Sequence, residues 1–290
     1  MENIKTNIVI FGKNGQVGSN LLKIFGKNDD FNIKSFSSAE VDFSNLKALD
    51  LFLENLSPTP NFIINAAAYT AVDKAEEEKE LADLINHKAV KIIAEYSAKN
   101  NVNLIHYSTD YVFDGSGSEP FLEDNTKNLN PLNHYGKTKL DGENAIINSG
   151  CKYIILRTSW VYDDVGKNFV NTIKKLAKEK EILSIIDDQI GSPTSAKYIA
   201  ESTFKIVQKL LKWEKNFPSG IYHCTSARYI SWHDFAYEIV DNLKKENIDL
   251  KIKEIKPIKT SEYKTAASRP LNSRLACSKL QRTFIISAKH

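Results

Sequence analysis

Cysteine is scarce in this sequence, and no apolar run is long. The 290 residues include three cysteines, Cys151, Cys224 and Cys277, which are odd in number and far apart. No CxxC or Cys/His pattern has zinc spacing, which argues against a disulfide framework and a zinc site. No apolar segment approaches membrane-spanning length, and the run 8–11 is too short for a signal peptide. We therefore predict a cytoplasmic protein without a membrane partner.

A strong excess of charge is also missing. The chain has 39 Lys and Arg against 36 Asp and Glu, a net charge of +3, and a pI near 8.5. This balance is too mild to indicate nucleic acid as a partner, and a solvated surface explains the lysines in 244–259. At 42% hydrophobic and 26% charged residues, the composition is typical of a soluble globular protein. The length suits one large domain or two closely packed lobes.

What the sequence does contain begins with a nucleotide-phosphate pattern. Residues 7–11 are predicted to form a short buried strand, and GKNGQVG at 12–18 is predicted to form a glycine-rich turn. After this turn, apolar residues recur at helical spacing, which predicts a helix that ends near Gly26. Glycines let the backbone approach a pyrophosphate, and the helix N-terminus offers free N–H groups to it. The GxxGxxG spacing is the form found in short-chain dehydrogenase-like folds. Candidate cofactor contacts here are Gly12, Asn14, Gly15, Gln16 and Val17.

The second predicted strand, 31–36, lacks the acidic residue that usually follows it to bind an adenosine ribose. The sequence offers Ser35, Ser37 and Ser38 instead. Since no carboxylate would then repel a 2′-phosphate, NADPH is allowed, with NADH remaining open. Asp42 and Phe43 are candidates to meet the adenine, although Asp42 could instead cap the next helix.

Strands and helices then alternate along the first half of the chain. Strands are predicted at 62–65, 102–107 and 153–157, and Ala66, Ala67 and Ala68 leave room for a cofactor after the first of these. Glu76-Glu77-Glu78 opens a helical pattern that reaches about Lys99, where acids in the first turn suit the helix dipole. This order predicts an α/β fold with a Rossmann-type, doubly wound parallel sheet.

The segment YGKTK at 135–139 carries the chemistry that we expect. Tyr135 and Lys139 are four residues apart and share one face of a helix. A free tyrosine has a pKa near 10, and a neighbouring ammonium favours the phenolate, which lowers that pKa toward the working range. The pair could therefore move a proton on and off a carbonyl oxygen. The alternative is a packed ring beside a solvated amine.

The alternation loosens after residue 160. Segment 187–194 is predicted as a polar loop, and Ser231 with Asp234 as a capping box. His223 and His233 have no partners at metal spacing. We predict a cofactor domain at 1–160. Residues 161–290 are predicted to form mostly a smaller, discontinuous substrate-binding lobe, with a helix near 195–212 that can return to the first domain.

Together these motifs resemble the extended short-chain dehydrogenase/reductase superfamily, and within it the dTDP-4-dehydrorhamnose reductase family. The similarity covers about 8–282, nearly the whole chain. Besides the glycine loop and YGKTK, the matching segments are NAAA at 65–68, TAVDKAE at 70–76, STDYVF at 108–113, PLN at 131–133, RTSWVY at 157–162, ASRP at 267–270 and NSRL at 272–275.

The resemblance implies reduction of the C4 ketone of dTDP-4-dehydro-L-rhamnose to dTDP-L-rhamnose, for rhamnose-containing cell-surface polysaccharide. By it, Tyr135 protonates the carbonyl oxygen, Thr109 hydrogen-bonds the same oxygen, and Lys139 holds the nicotinamide ribose and lowers the tyrosine pKa. Tyr107 joins the cofactor contacts. Arg269 and Arg274 would meet the diphosphate, with surface ion pairing as the alternative. The substrate contacts implied are Thr70, Val72, Thr109, Asp110, Tyr111, Trp160, Arg269 and Arg274.

The sequence departs from the family at a metal site. Some members bind Mg²⁺ at a homodimer interface through carboxylates, whereas Asn20 and Lys197 stand at those positions here. We therefore expect no metal site, and a monomer or weak homodimer. A sugar-nucleotide 4,6-dehydratase fits less well, because Tyr111 follows Asp110 where that chemistry needs a glutamate. A non-catalytic NADP-binding regulatory subunit and another nucleotide-sugar 4-ketoreductase remain alternatives.

Overall fold

A parallel β-sheet forms the centre of the molecule. The computed structural model describes residues 5–214 and 216–287. In chain order the strands are β1 Thr6–Phe11, β2 Phe31–Phe36, β3 Phe62–Asn65, β4 Asn103–Thr109, β5 Tyr153–Thr158, β6 Val161–Tyr162, β7 Ile182–Ile186, β8 Ile190–Gly191, β9 Thr194–Ser195, β10 Gly220–His223, β11 Ile230–Ser231, β12 Glu254–Ile258 and β13 Asn272–Ser273.

The helices connect these strands and cover both faces of the sheet. Within the described residues, none is long and apolar enough to cross a membrane. In chain order the α-helices are α1 Gln16–Phe25, α2 Leu46–Glu54, α3 Lys79–Asp83, α4 Ala89–Lys99, α5 His134–Asn148, α6 Phe169–Glu179, α7 Ala196–Leu210, α8 Trp232–Lys245 and α9 Ser278–Phe284.

The strand order explains where a ligand can bind. The central sheet runs β10-β5-β4-β3-β1-β2, and its strand pairs are parallel. The chain moves outward from β1 to β2 and then crosses to β3 on the other side of β1. That reversal opens a crevice at the carboxyl ends of β1 and β3, the usual ligand site of such sheets. The predicted Rossmann-type, doubly wound sheet is confirmed.

Both faces of the sheet are apolar because side chains alternate along each strand. Ile8 and Ile10 of β1 join one core, which includes residues of α1 and α7. Val9 and Phe11 join the other, which includes residues of α2 and α4. The four side chains are at most 2% exposed. Burial on both sides holds β1, and therefore the turn that follows it, in a fixed position.

The chain returns to this sheet after β5. Helix α7 packs against α1, and α9 packs against β10. Strand β10 extends the sheet beside β5. Between these returns, α6 and α8 share a separate apolar cluster with the β7–β12 pair. The segment predicted as a loop at 187–194 contains β8, which pairs with β11 and β13.

The single helix predicted from Glu76 to Lys99 is wrong. A 3₁₀ turn spans Lys74–Glu76, α3 follows, and a π-helical turn at Leu84–Lys88 precedes α4. The π turn lets Asn86 bond both backbone groups of Tyr69, at 2.9 and 3.0 Å. Glu76 accepts a hydrogen bond from the backbone of His134, at 2.7 Å. Its charge therefore stabilises the start of α5, rather than a helix of its own.

The helix caps correct one expectation and confirm another. Asp42 accepts hydrogen bonds from the backbone and hydroxyl of Ser44, both at 2.8 Å. The side chain that caps α2 is Asn45, which accepts from the backbone of Ala48 at 3.1 Å. The capping interpretation of Asp42 is therefore wrong. The predicted cap at Ser231 is confirmed, since its hydroxyl accepts from the Asp234 backbone at 2.9 Å.

Candidate active site

The turn after β1 leaves no space for side chains at two of its glycines, Gly12 and Gly18. Gly12 has φ of +83°, and a Cβ there would lie 2.6 Å from the backbone of Ala66. A Cβ on Gly18 would lie 2.1 Å from the Gly12 carbonyl oxygen. Gly15 occupies the N-cap of α1 and offers no side chain to the first-turn N–H groups. This backbone cradle at a helix N-terminus fits a nucleotide pyrophosphate.

A cavity of about 220 Å³ lies beside this turn. Ser37, Ser38 and Ile85 also line it. The predicted cofactor residues that the fold brings together around it are Gly12, Asn14, Gly15, Asp42, Phe43, Ala66, Ala67 and Ala68.

Three other predicted cofactor contacts have side chains engaged elsewhere. The Gln16 side-chain oxygen accepts a hydrogen bond from Asn168 at 3.0 Å. Val17 packs against the apolar core. The Tyr107 hydroxyl lies 2.7 Å from the hydroxyl of Thr203 on α7, and the ring belongs to the core. Only the backbone of Tyr107, and not its side chain, is therefore positioned to contribute to the cofactor site.

Sequence reasoning missed Glu40, a carboxylate that is hydrogen-bonded to Ser37 on the wall of the same cavity. Its side chain accepts hydrogen bonds from the backbone and hydroxyl of Ser37, both at 2.8 Å. It also lies 2.7 Å from the Lys13 ammonium. The hydrogen bonds from Lys13 and Ser37 lower the pKa of Glu40 to about 2. The signal was obscured because Glu40 follows β2 by four residues and folds back onto its end.

At the end of β4, Thr109 lies near Tyr135, whereas the proton-transfer pair predicted from sequence was Tyr135 with Lys139. The Thr109 hydroxyl donates a hydrogen bond to a carboxylate oxygen of Asp110 at 3.2 Å and accepts one from the Tyr111 backbone at 3.2 Å. Burial raises the pKa of Tyr135 to about 12, while the nearby Thr109 hydroxyl lowers it. Burial likewise raises the pKa of Asp110 to about 7.

Lys139 lies on α5 with Tyr135, but its immediate contacts are on β4. The Nζ atom donates to the Tyr107 carbonyl at 2.7 Å and lies 3.1 Å from His106 Nε2. Burial lowers the pKa of Lys139 to about 8, while the charge of Glu143 raises it. The predicted lowering of the tyrosine pKa by this lysine is not found, since the pKa of Tyr135 is raised, without a contribution from Lys139.

A second cavity, of about 260 Å³, lies between the sheet end and the α6–α8 cluster. Tyr111 and Arg269 line it, together with Trp232. The Trp160 ring stacks on Trp232 at 3.5 Å, and the Tyr111 ring meets that of Tyr135 edge-on at 5.8 Å. Two predicted substrate residues, Tyr111 and Arg269, therefore line this cavity, and the Tyr111 ring also contacts the Tyr135 ring.

The two predicted arginines differ in position. Arg269 forms a bidentate ion pair with Asp73, at 3.1 and 2.6 Å, which ties the loop containing Thr70 and Val72 to the edge of the second cavity. Arg274 lies 2.9 Å from the Asn272 side chain and does not line either of these two cavities. For Arg269, the alternative interpretation as an ion-pairing residue is therefore correct in part, since this side chain pairs with Asp73 and also lines the second cavity.

The structure also shows the surroundings of Asn20 and Lys197, where the sequence departs from the metal site expected from the family resemblance. The buried Asn20 amide donates to Asp163 at 3.0 Å and to the Gln16 carbonyl at 2.8 Å, while Lys197 is exposed. His223 is buried, with Nδ1 3.1 Å from the Ala276 carbonyl. In 5–214 and 216–287, the group whose ligand atoms are close enough for a metal is Asp83, His87 and Asp141, on a different surface.

Comparison with known proteins places these observations in a family. A family model described as the RmlD substrate binding domain matches residues 6–290. A dTDP-4-dehydrorhamnose reductase of Salmonella typhimurium is 44% identical, over 96% of this chain and 92% of its own length. The Escherichia coli (strain K12) reductase of the same name is 41% identical, over 97% and 92%.

Solved structures agree. A dTDP-4-dehydrorhamnose reductase from Bacillus anthracis in complex with NADP has a TM-score of 0.86 at 33% identity, covering 98% of this chain and 95% of its own. An ortholog from Clostridium acetobutylicum has a TM-score of 0.85 at 37% identity, covering 96% and 92%. The fold and these relatives show a reductase of the short-chain dehydrogenase/reductase type. More particularly, the chain belongs to the dTDP-4-dehydrorhamnose reductase family.

Proposed function

We propose that this protein reduces the C4 ketone of dTDP-4-dehydro-L-rhamnose with NAD(P)H, giving dTDP-L-rhamnose for rhamnose-containing cell-surface polysaccharide. The observation that carries the proposal is the position of Thr109 next to Tyr135 at the end of β4, beside a glycine cradle and a second, partly aromatic cavity. The names of the relatives at 44% and 41% identity support the same substrate.

The proton for this reduction comes from Tyr135. Reduced nicotinamide, when bound, supplies a hydride to C4 of the sugar. The Tyr135 hydroxyl gives its proton to the ketone oxygen, and the Thr109 hydroxyl holds that oxygen in place, so that the ketone becomes a secondary alcohol. Since the pKa of Tyr135 is raised to about 12, the side chain carries its proton at neutral pH, as a donor for reduction requires.

The glycine turn and the first cavity hold the cofactor in this proposal. The Gly12–Ala66 contact brings two backbone segments together where a pyrophosphate would sit, and Asp42 with Phe43 lines the adenosine end. The structure of the Bacillus anthracis relative with NADP supports a nicotinamide dinucleotide. Both NADH and NADPH are proposed as substrates.

The second cavity holds the sugar nucleotide in this proposal. Tyr111 and Arg269 lie on its walls, and Trp160 supports it through Trp232. Arg269 retains N–H groups beyond those that bind Asp73, and these would meet a diphosphate oxygen. Thr70, Val72 and Asp110 stay predicted contacts, as does Arg274. The 161–290 lobe is proposed to bind the substrate.

Turnover with the purified keto-sugar nucleotide tests the proposal. Loss of reduced-nicotinamide absorbance should depend on dTDP-4-dehydro-L-rhamnose, and NMR should identify dTDP-L-rhamnose as the product. Binding of NADPH without any turnover would instead support a non-catalytic subunit, and turnover with a different keto-sugar alone would support another 4-ketoreductase. Activity should survive EDTA, since Asn20 and Lys197 replace the carboxylates of the relatives' Mg²⁺ site. Cytoplasmic location and a monomer or weak homodimer remain predictions.

A further inference from the structure

Three buried side chains form a continuous line beneath the proposed active site. Asn65 at the end of β3, His106 on β4 and Lys139 on α5 are 1%, 1% and 2% exposed. Asn65 Nδ2 lies 3.2 Å from His106 Nδ1, and His106 Nε2 lies 3.1 Å from Lys139 Nζ. Because water does not reach these groups, each donor must face an acceptor within the line.

One end of the line fixes the direction of the hydrogen bonds. The Asn65 side-chain oxygen accepts from the backbone N–H of Ala67 at 3.1 Å. Its NH₂ group therefore points at His106 and donates to Nδ1, which must be unprotonated. Burial holds the pKa of His106 well below its usual range, so the ring is neutral. A neutral ring without a proton on Nδ1 carries it on Nε2.

The Nε2–H group of His106 points at Lys139 and needs an acceptor. An ammonium has three donors and no lone pair, whereas a neutral amine has a lone pair to receive this hydrogen. The amine can still donate to the Tyr107 carbonyl, 2.7 Å away. We propose that, above about pH 8, Lys139 is a neutral amine in the protein without cofactor, held by Asn65 and His106, and that it gains a proton when NADH or NADPH binds.

The opposite arrangement leaves a conflict in the line. A charged Lys139 would donate to Nε2 and move the ring proton to Nδ1, where it would face the Asn65 NH₂ group. Turning the Asn65 amide to relieve this would bring its NH₂ group against the Ala67 N–H. With either orientation of the Asn65 amide, a charged Lys139 therefore leaves two hydrogen-bond donors facing each other in a buried space, where an unsatisfied donor costs free energy.

The charges around Lys139 allow the neutral form. Glu143 favours the ammonium, but Arg157 donates to both of its oxygens, at 2.9 and 2.6 Å. His106 is neutral, and the pKa of Tyr135 is raised to about 12, so that this hydroxyl is uncharged. The carboxyl of Asp110 faces Tyr135, and burial raises its pKa to about 7. Burial lowers the pKa of Lys139 itself to about 8.

A change of charge on cofactor binding would couple two events in the cycle. The inference rests on the proposed function, in which the cofactor occupies the crevice next to Lys139. Ribose hydroxyls accept hydrogen bonds and the pyrophosphate is negative, so both favour an ammonium. The ammonium in turn favours the Tyr135 phenolate left after proton donation.

Titration of Lys139 tests the proposal directly. Protein with [¹³Cε,¹⁵Nζ]-lysine is followed by NMR from acid to alkaline pH, and the Lys139 signal is the one missing from Lys139→Met. The midpoint should lie at or below pH 8 in the free protein, and at least about one pH unit higher with NADH bound. NADH is the probe because it has no titrating 2′-phosphate. An ammonium signal at pH 8.5 in the free protein would overturn the proposal.

Calorimetry adds a readout and a matched variant. NADH binding at pH 8, measured in two buffers of different ionisation enthalpy, should take up about half a proton or more. Asn65→Asp preserves the shape of the side chain, but its carboxylate accepts a hydrogen bond from a protonated His106 Nδ1, which leaves Nε2 as an acceptor for an ammonium. Uptake should then fall to near zero while NADH still binds. If wild-type protein binds NADH without taking up a proton, this inference is contradicted and the proposed function stands. If NADH does not bind, the proposed function is contradicted. In that case the titration of the free protein still decides the charge of Lys139.

Discussion

The Lys13 ammonium lies 2.7 Å from the Glu40 carboxylate. Glu40 also accepts two hydrogen bonds from Ser37, which lines the cavity proposed for the adenosine of the cofactor. A 2′-phosphate of NADPH would enter near the end of β2, where Glu40 repels it and keeps Lys13 occupied. The pair therefore bears directly on the choice between NADH and NADPH.

Glu40→Gln should increase the affinity for NADPH several-fold, with little change for NADH. The amide oxygen can still accept from Ser37, while the negative charge is removed and Lys13 is released toward the phosphate. Fluorescence titration with each cofactor measures the ratio of dissociation constants. Lys13→Met is the reciprocal variant and should weaken NADPH more than NADH. Equal changes for both cofactors in either variant would refute the role of the pair.

Arg269→Lys should raise KM for the sugar nucleotide about tenfold, because an ammonium cannot bind Asp73 and a diphosphate with the same planar fork. The Kd of NADPH should stay within about twofold, since Arg269 lines the second cavity and not the first. Arg274→Lys is the matched control, and its KM should change less because Arg274 does not line the second cavity. An equal rise in KM for Arg269→Lys and Arg274→Lys would contradict the claim that the second cavity binds the sugar nucleotide through Arg269.

Asp110→Asn should stabilise the protein increasingly as pH rises from 4 to 7. Burial raises the pKa of Asp110 from 3.8 to about 7, so the folded state holds this proton more tightly than the unfolded chain. The stability due to that proton is full below pH 3.8 and is lost as pH rises through 7. The melting temperature of the variant relative to wild type should therefore be about 3–6 °C higher at pH 8 than at pH 4.5. A difference independent of pH would contradict this reasoning.

Arg157→Met should lower the melting temperature by roughly 6 °C or more, because it leaves the buried Glu143 carboxylate unpaired. The ion pair is 2.6 Å long and both side chains are 1% exposed. The double variant Arg157→Met/Glu143→Met should recover part of the loss, since it removes both charges. Lys245→Met is the control: its partner Asp241 is 44% exposed, so the melting temperature should change by about 1 °C or less.

The sheet was predictable from sequence because its signals are local. The apolar runs of β1 to β5 and the glycine turn each lie within a few adjacent residues, and the strand and helix that flank the turn were found where they were predicted. Strand β10 was not predicted, since Gly220–His223 is short and joins the sheet only through pairing with β5. The π turn was missed because the hydrophobic pattern from Leu81 to Ile93 is continuous with a regular helix.

The candidate site was predictable where residues follow a strand, and less so where it depends on contacts between elements. Thr109 and Tyr135 are brought together as expected. The contacts of Lys139 were not predicted from sequence, because His106 is distant in sequence and meets Lys139 only when β4 and α5 pack together. Glu40 was missed for the same reason. Tyr107 was assigned to the cofactor from resemblance, whereas the pairing of its hydroxyl with Thr203 depends on the return of α7.

The most direct test of the account is ketone reduction by Tyr135→Phe. The substitution removes only the hydroxyl that is proposed to protonate the sugar ketone, so kcat should fall at least about 100-fold, with NADPH affinity within about twofold of wild type. Tyr237→Phe, at a ring 63% exposed on α8, should retain wild-type turnover. Near-wild-type kcat in Tyr135→Phe, with NADPH still bound, would contradict the assignment of Tyr135 as the proton donor.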